Sequence, residues 1–185
     1  MPKSGANTAL FTAGRTEARE NKFHWVGPVI TRDQVLYKLK SNPLNVSELS
    51  DAKKAKKIGT LQGDWRGKFL QDNGLTNVTF SQAHSANLKK LASGRIDLWV
   101  TSNLEAPVIA NAINIDTNSL EVAYILKTTP SYIMLSKNTS QEIVKQWQDT
   151  FAELRSSGKL QEIADKWSEI LNANLTVTDG GITAK

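Results

Sequence analysis

The sequence predicts an α/β fold, and three observations predict it. Short apolar runs alternate with helix-patterned segments through the middle of the chain. Two amphipathic stripes at helical spacing follow in the C-terminal part. Glycines, one of them in an Asn-Gly pair, stand where the helices should stop. No repeat at a fixed period and no low-complexity tract competes with this reading.

The elements follow in order. Residues 7–13, NTALFTA, are short and mostly apolar and read as a buried strand. The charged run at 15–21 is helix-friendly for about one turn. Residues 23–30, FHWVGPVI, return to extended structure, since the residue before Pro28 is biased away from α. Val35, Tyr37 and Leu39 alternate in the next strand, and residues 45–57 form a connection with a short helix. KIGTL at 57–61 is a strand, QGDWRG a turn, and 65–74 a helix stopped at Asn73-Gly74. A strand at 76–81, a helix at 85–94, a strand at 96–100 and a helix at 104–113 come next. Pro107 sits early in that last helix, where its missing N–H costs little. Strands at 120–126 and 132–137 are separated by a Thr-Thr-Pro break.

The C-terminal helices carry the strongest pattern. Thr139-x-x-Glu142 matches a capping box. Ile143, Trp147, Phe151 and Leu154 form one stripe, and Leu160, Ile163, Trp167 and Leu171 a second, with both tryptophans expected in the core. The tail at 172–185 has weak signals and is expected to fray.

Bulk properties narrow the function. The 185 residues, 39% apolar, suit one large domain or two small lobes. No apolar run is long enough to span a membrane, and residues 1–14 lack the apolar core of a signal peptide. The absence of cysteine excludes disulfides and thiolate sites. A net charge of +5 is compatible with an acidic partner. Yet the densest basic run, AKKAKK at 52–57, has no interleaved aromatics and reads as a solvated surface, not a nucleic-acid site. His24 and His84 stand apart from carboxylates at ligand spacing, so neither a metal nor a cofactor is expected. Nucleophile elbows, phosphate loops and dinucleotide fingerprints are missing. Two features hold possible chemistry. The LQGDWRG turn exposes backbone N–H groups at a helix start, with Asp64 opposing an anion and Arg66 favouring one. Arg19, between Glu17 and Glu20, is either a surface ion-pair residue or a bidentate fork for a carboxylate.

The order of segments says more than any one of them. RTEARENKFHWVGPV resembles the T-x-E-R-E…F-x-F-S-x-P-Y passage of bacterial extracellular solute-binding proteins of family 3, the periplasmic amino-acid-binding components of ABC transporters. KKIGTLQGDW resembles that family's G-K-x-V-G-V-x-x-G-T, and NLKKLASGRIDLWV its A-L-x-x-G-R-A-D-A-V. The closing helices are similar to its ending in I-x-x-K-W. Together these segments cover about residues 7–171.

The resemblance implies a type II periplasmic binding protein fold of two α/β lobes with ligand between them. One lobe would comprise 34–126, the other 1–28 with 132–171, joined by hinge strands at 29–33 and 127–131, with 172–185 as a tail. Arg19 matches the arginine that holds the ligand carboxylate, and Thr12 and Gly14 match ligand-contacting positions. Gly63 and Asp64 fall on the G-T turn that donates backbone N–H groups. The aspartate that holds the α-amino group falls at Ser102, beside Asn103. Glu105, one turn on, is the candidate replacement for that charge. Asp64 and Ser102 depart from the family pattern and count against a standard α-amino acid. The family also begins with a β-α-β-α segment of at least about 30 residues, and six residues precede the first strand here. That lobe would then be incomplete, leaving bare sheet edge and helix faces, so a homo-oligomer or swapped dimer is expected. The resemblance implies a periplasmic, non-enzymatic protein that passes a small amino-acid-like ligand to an ABC permease. The alternatives are a degenerate homologue serving as an oligomeric module and a cyclohexadienyl-dehydratase-like enzyme. The enzyme would have to use Glu17, Asp64 or Glu105, and nothing in the sequence pairs them.

Overall fold

The computed structural model of the chain describes residues 7–184. Its elements run Ala9–Gly14 (β1), Glu17–Glu20 (α1), Phe23–Leu39 (β2), Ile58–Leu61 (β3), Trp65–Asp72 (α2), Val78–Ser81 (β4), His84–Ala92 (α3) and Leu98–Ser102 (β5). Glu105–Ala112 (α4), Leu120–Ser136 (β6), Gln141–Ser156 (α5), Lys159–Leu171 (α6), Leu175–Thr178 (β7) and Gly181–Ala184 (β8) complete the order. The chain divides into two compact units: residues 1–32 with 129–185 (unit 1), and residues 33–128 (unit 2). Strands β2 and β6 each start in one unit and finish in the other. The break expected at Thr128-Thr129-Pro130 does not interrupt β6. Proline fixes φ near −65°, which extended backbone tolerates.

Unit 2 follows the predicted alternation. Its strand order is β2-β5-β3-β4, with β5, β3 and β4 parallel and β2 antiparallel to β5. Side-chain alternation splits the core between the two sheet faces. Val35, Tyr37 and Trp99 pack with Leu88, Leu91 and Ala110 on one face, while Leu36, Leu98 and Val100 pack with Ile58 and Leu70 on the other. Gly59 permits close packing of α3, since a Cβ there would meet Asn87 Oδ1 at 2.9 Å. The basic run is exposed, with Ala52 and Ala55 turned inward from it.

In unit 1 the strands lie in the order β1-β6-β2, with β8 parallel to β2 and β7 antiparallel to β8. The tail expected to fray is therefore a hairpin. The Asp179-Gly180 pair between two β-branched runs is its signal. Strand β1 ends the sheet order and bulges between Leu10 and Ala13, where Thr12 adopts φ 56°. One core cluster joins Val26, Ile133, Leu135 and Val144, and another joins Ala13, Trp25 and Met134.

The C-terminal helices form as predicted but are turned by about one residue. Helix α5 is capped by Ser140, whose hydroxyl accepts the Ile143 N–H at 3.4 Å, rather than by Thr139, which bonds Ser136 Oγ at 2.9 Å. Val144, Leu160 and Ala164 are buried, whereas Trp147 is 36% and Trp167 47% exposed. The tryptophans expected in the core thus lie at its rim or outside it. Helical spacing identifies an apolar stripe but not the part of it that is covered.

Candidate functional site

The parallel strands β3, β4 and β5 end at Leu61, Ser81 and Ser102, and each leads into a helix within a few residues. Three helix N-termini therefore gather at one sheet edge. That edge is where open α/β sheets place their ligand groups.

Arg66 is the hub of this edge. Only 6% exposed, it lies in the first turn of α2. Its Nε donates to Asp64 Oδ2 at 2.8 Å, and Nη2 lies 2.6 Å from the same oxygen. Nη1 donates to Glu105 Oε2 at 2.9 Å and to Gln34 Oε1 at 3.0 Å. Asp64 also caps α2, with Oδ1 accepting the Arg66 main-chain N–H at 2.8 Å. The chain's own carboxylate thus fills the anion cradle read from LQGDWRG, and Arg66 is not free to attract another anion. Asp64 and Glu105, unpaired in the sequence, are joined through one guanidinium.

Glu105 is anchored through a single oxygen. Oε2 accepts from Arg66 Nη1, from Thr101 Oγ1 at 3.0 Å and from the Ser102 N–H at 3.2 Å. Ser102 Oγ in turn accepts the Glu105 N–H at 3.2 Å, which completes the reciprocal pair of a capping box. Burial pushes the carboxyl upward. The Arg66 hydrogen bond and charge, with Thr101 and Ser102, outweigh it and hold Glu105 at about 2. The side chain remains 44% exposed, and Oε1 has no partner among the described residues. The hub therefore presents one ionised oxygen outward, with a formal charge of −1 summed over Arg66, Asp64 and Glu105.

His84 opens α3 beside Arg66. Trp99 Nε1 and Arg66 Nη2 present donors to the two ring nitrogens of His84, Nδ1 at 3.2 Å and Nε2 at 3.3 Å, and a neutral ring accepts only one of them. Burial and then the Arg66 charge hold His84 below its ordinary value. A protonated ring would place a further cation against the guanidinium.

The other expected site residues have local roles. Gly63 makes the turn before Asp64 with φ +77°. Asn103 pairs with β2: its Oδ1 accepts the Asp33 N–H at 3.0 Å, and its N–H donates to the Asp33 carbonyl at 3.0 Å. In unit 1, Arg19 Nη1 donates to the Gly14 carbonyl at 3.2 Å, and Thr12 Oγ1 donates to the Phe11 carbonyl at 2.8 Å. The structure thus gathers Gly63, Asp64, Ser102 and Glu105 at one edge of unit 2 and Thr12, Gly14 and Arg19 in unit 1. Arg66 as hub is what sequence reasoning missed. The Asp-x-Arg spacing at a helix start was the available signal. Among the described residues no group of three His, Asp or Glu side chains is placed to hold a metal.

No protein-family model matches the chain, and no curated protein does. Solved structures do match in fold. The L-cystine solute receptor of Neisseria gonorrhoeae, unliganded and open, is 15% identical with a TM-score of 0.66, over 84% of this chain and 64% of that one. An ancestral cationic amino acid solute-binding protein gives 17%, 0.63, 84% and 66%. The second substrate-binding domain of a putative amino acid ABC transporter from Streptococcus pneumoniae gives 21%, 0.61, 84% and 69%. The chain spans about two-thirds of the length of these structures. Over that span, it has the α/β fold of the amino-acid solute-binding proteins.

Proposed function

We propose that the chain is a non-enzymatic, periplasmic binding protein for a small amino-acid-like solute bearing a cationic group, which it delivers to an ABC permease. The observation that carries this reading is Glu105, held at about 2 with Oε1 turned to solvent at the strand ends. A carboxylate that stays ionised accepts an ammonium or guanidinium and is unsuited to donate a proton as a general acid. The solved structures reported above are named for solute or substrate binding, one of them for cationic amino acids. Arg19, with Thr12 and Gly14 near it in the chain, is proposed within unit 1 as a residue for a ligand carboxylate.

Calorimetry and thermal shift with L-arginine, L-lysine, L-histidine and L-glutamate test this. A bound solute raises the melting temperature by mass action. A cationic amino acid should stabilise the chain, and Glu105→Gln should weaken its binding about tenfold, roughly 1.4 kcal/mol. Unchanged affinity in Glu105→Gln, or a response to glutamate alone, would sink the reading.

A second reading is a chain that associates instead of binding solute. Two observations favour it: Asp64 fills the anion cradle, and Leu10, Phe11, Ile163, Trp167 and Ile170 are exposed in unit 1, with β1 at the end of the sheet order. It entails a homo-oligomer or swapped dimer. Sedimentation velocity should then show mass rising with concentration, and Phe11→Lys should return the chain to monomer. A wild-type monomer at every concentration removes this reading.

A further inference from the structure

Unit 1 contains a seat for a planar cation, built from two aromatic rings and a carboxylate. The Arg15 guanidinium carbon lies 5.4 Å from the Tyr132 ring centroid and 5.9 Å from that of Trp25. Arg15 Nε donates to Glu20 Oε2 at 2.7 Å, and Nη2 donates to Glu20 Oε1. The acid is thus met by two parallel donors, a geometry that a guanidinium matches and an ammonium does not. The Arg15 hydrogen bond holds Glu20 below its ordinary range, so the acid stays ionised.

The seat is built by groups other than Arg15. Trp25 lies on β2 and Tyr132 on the neighbouring β6, with ring centroids 6.0 Å apart, edge to face. Phe23 meets Trp25 in the same manner at 6.2 Å. Trp25 Nε1 donates to the Glu20 carbonyl at 3.4 Å, which ties the ring to the residue that supplies the acid. Tyr132 lies against Gly27, where a Cβ would come within 3.2 Å of its Cδ1. Ala13 and Met134 complete the buried cluster with Trp25. Arg15 differs from these groups. It comes from the loop between β1 and α1, and its side chain is 40% exposed, facing an acid that is 42% exposed. The rings are packed, whereas the cation has water on its outer side and a long stem by which to leave.

We propose that this seat is a guanidinium-binding site whose resident occupant is Arg15, and that a small alkylguanidinium takes the seat when Arg15 swings out. The site uses residues of unit 1 alone, so it does not rest on the Glu105 reading. Its selectivity follows from its parts. A urea of the same shape lacks the charge for the rings and the acid, and an alkylammonium lacks the fork.

The test titrates ethylguanidinium into the ¹⁵N-labelled full chain and follows the Trp25 indole N–H signal, assigned with Trp25→Phe. Arg15→Gln should bind about tenfold more tightly than wild type, as expected where the chain's own side chain fills the seat about nine-tenths of the time. Arg15→Ala repeats the measurement, so that poor folding of one variant does not decide the outcome. Ethylurea should give no saturable shift, and adding Glu20→Gln to either variant should abolish the response. Equal affinity in wild type and both variants, an equal response to ethylurea, or a response that survives Glu20→Gln each overturns the proposal.

Discussion

Unit 2 buries more of its large apolar side chains than unit 1 does. Among the described residues, eleven of the twelve largest fully buried side chains belong to unit 2, with Val26 the exception, and six of the ten exposed large apolar side chains belong to unit 1. The polar groups follow the same division. Unit 2 ties Arg66, Asp64, Glu105, Gln34 and His84 into one hub, while in unit 1 Arg15 and Glu20 pair at the surface. Similar strands and helices therefore yield one unit with a larger buried core and one with more apolar side chains at its surface.

Removing the hub is the most direct way to break this contrast. Arg66→Leu strands two carboxylates and should cost about 3–5 kcal/mol of unfolding free energy by urea denaturation. A loss below about 1 kcal/mol would mean that Asp64 and Glu105 are solvated without Arg66.

Matched truncations test the apolar half of the contrast. Leu98→Ala, fully buried in unit 2, should cost about 2–5 kcal/mol, whereas Ile170→Ala, 58% exposed in unit 1, should stay within about 0.5 kcal/mol. Equal losses would show that Ile170 is covered in solution, which sharpens the case for association.

Acid should act through unit 2. Glu105 is held at about 2 against an ordinary 4.5, so its contribution is complete above about 4.5 and is lost as pH falls toward 2. The full shift would correspond to about 3 kcal/mol, and solvent screening of a carboxylate that is 44% exposed cuts this to about 1–2. His84 is also lowered, so the unfolded chain takes up its proton first and stability begins to fall below about 6.5. Stability measured from pH 7 to 3 should decline in this order, and the lower step should shrink in Arg66→Leu. A lower step of undiminished size in that variant would assign it to another group.

Much of unit 2 was legible because its signals are local. Alternation placed Val35, Tyr37 and Leu39 on one face, where they pack together, and glycines marked the ends of α2 and α3. In unit 1, α5 and α6 were found but the exposure of Trp147 and Trp167 was not, because whether a stripe is covered depends on what else packs there. The β7–β8 hairpin was overlooked although Asp-Gly between β-branched runs announces one. At the candidate site, Glu105 could be named from its distance to Ser102. The hub could not, since it joins residues 34, 64, 84 and 105 across four elements.

The passage of β2 and β6 through both units has a consequence for biosynthesis. Unit 2 is one uninterrupted stretch, complete when residue 128 has left the ribosome. Unit 1 has one part made before that stretch and the other after it, and β8, the parallel neighbour of β2, is translated only after unit 2 is complete. Folding from the N-terminus therefore favours unit 2 first. Meanwhile β1 must wait for β6, its partner, which is finished only at Ser136.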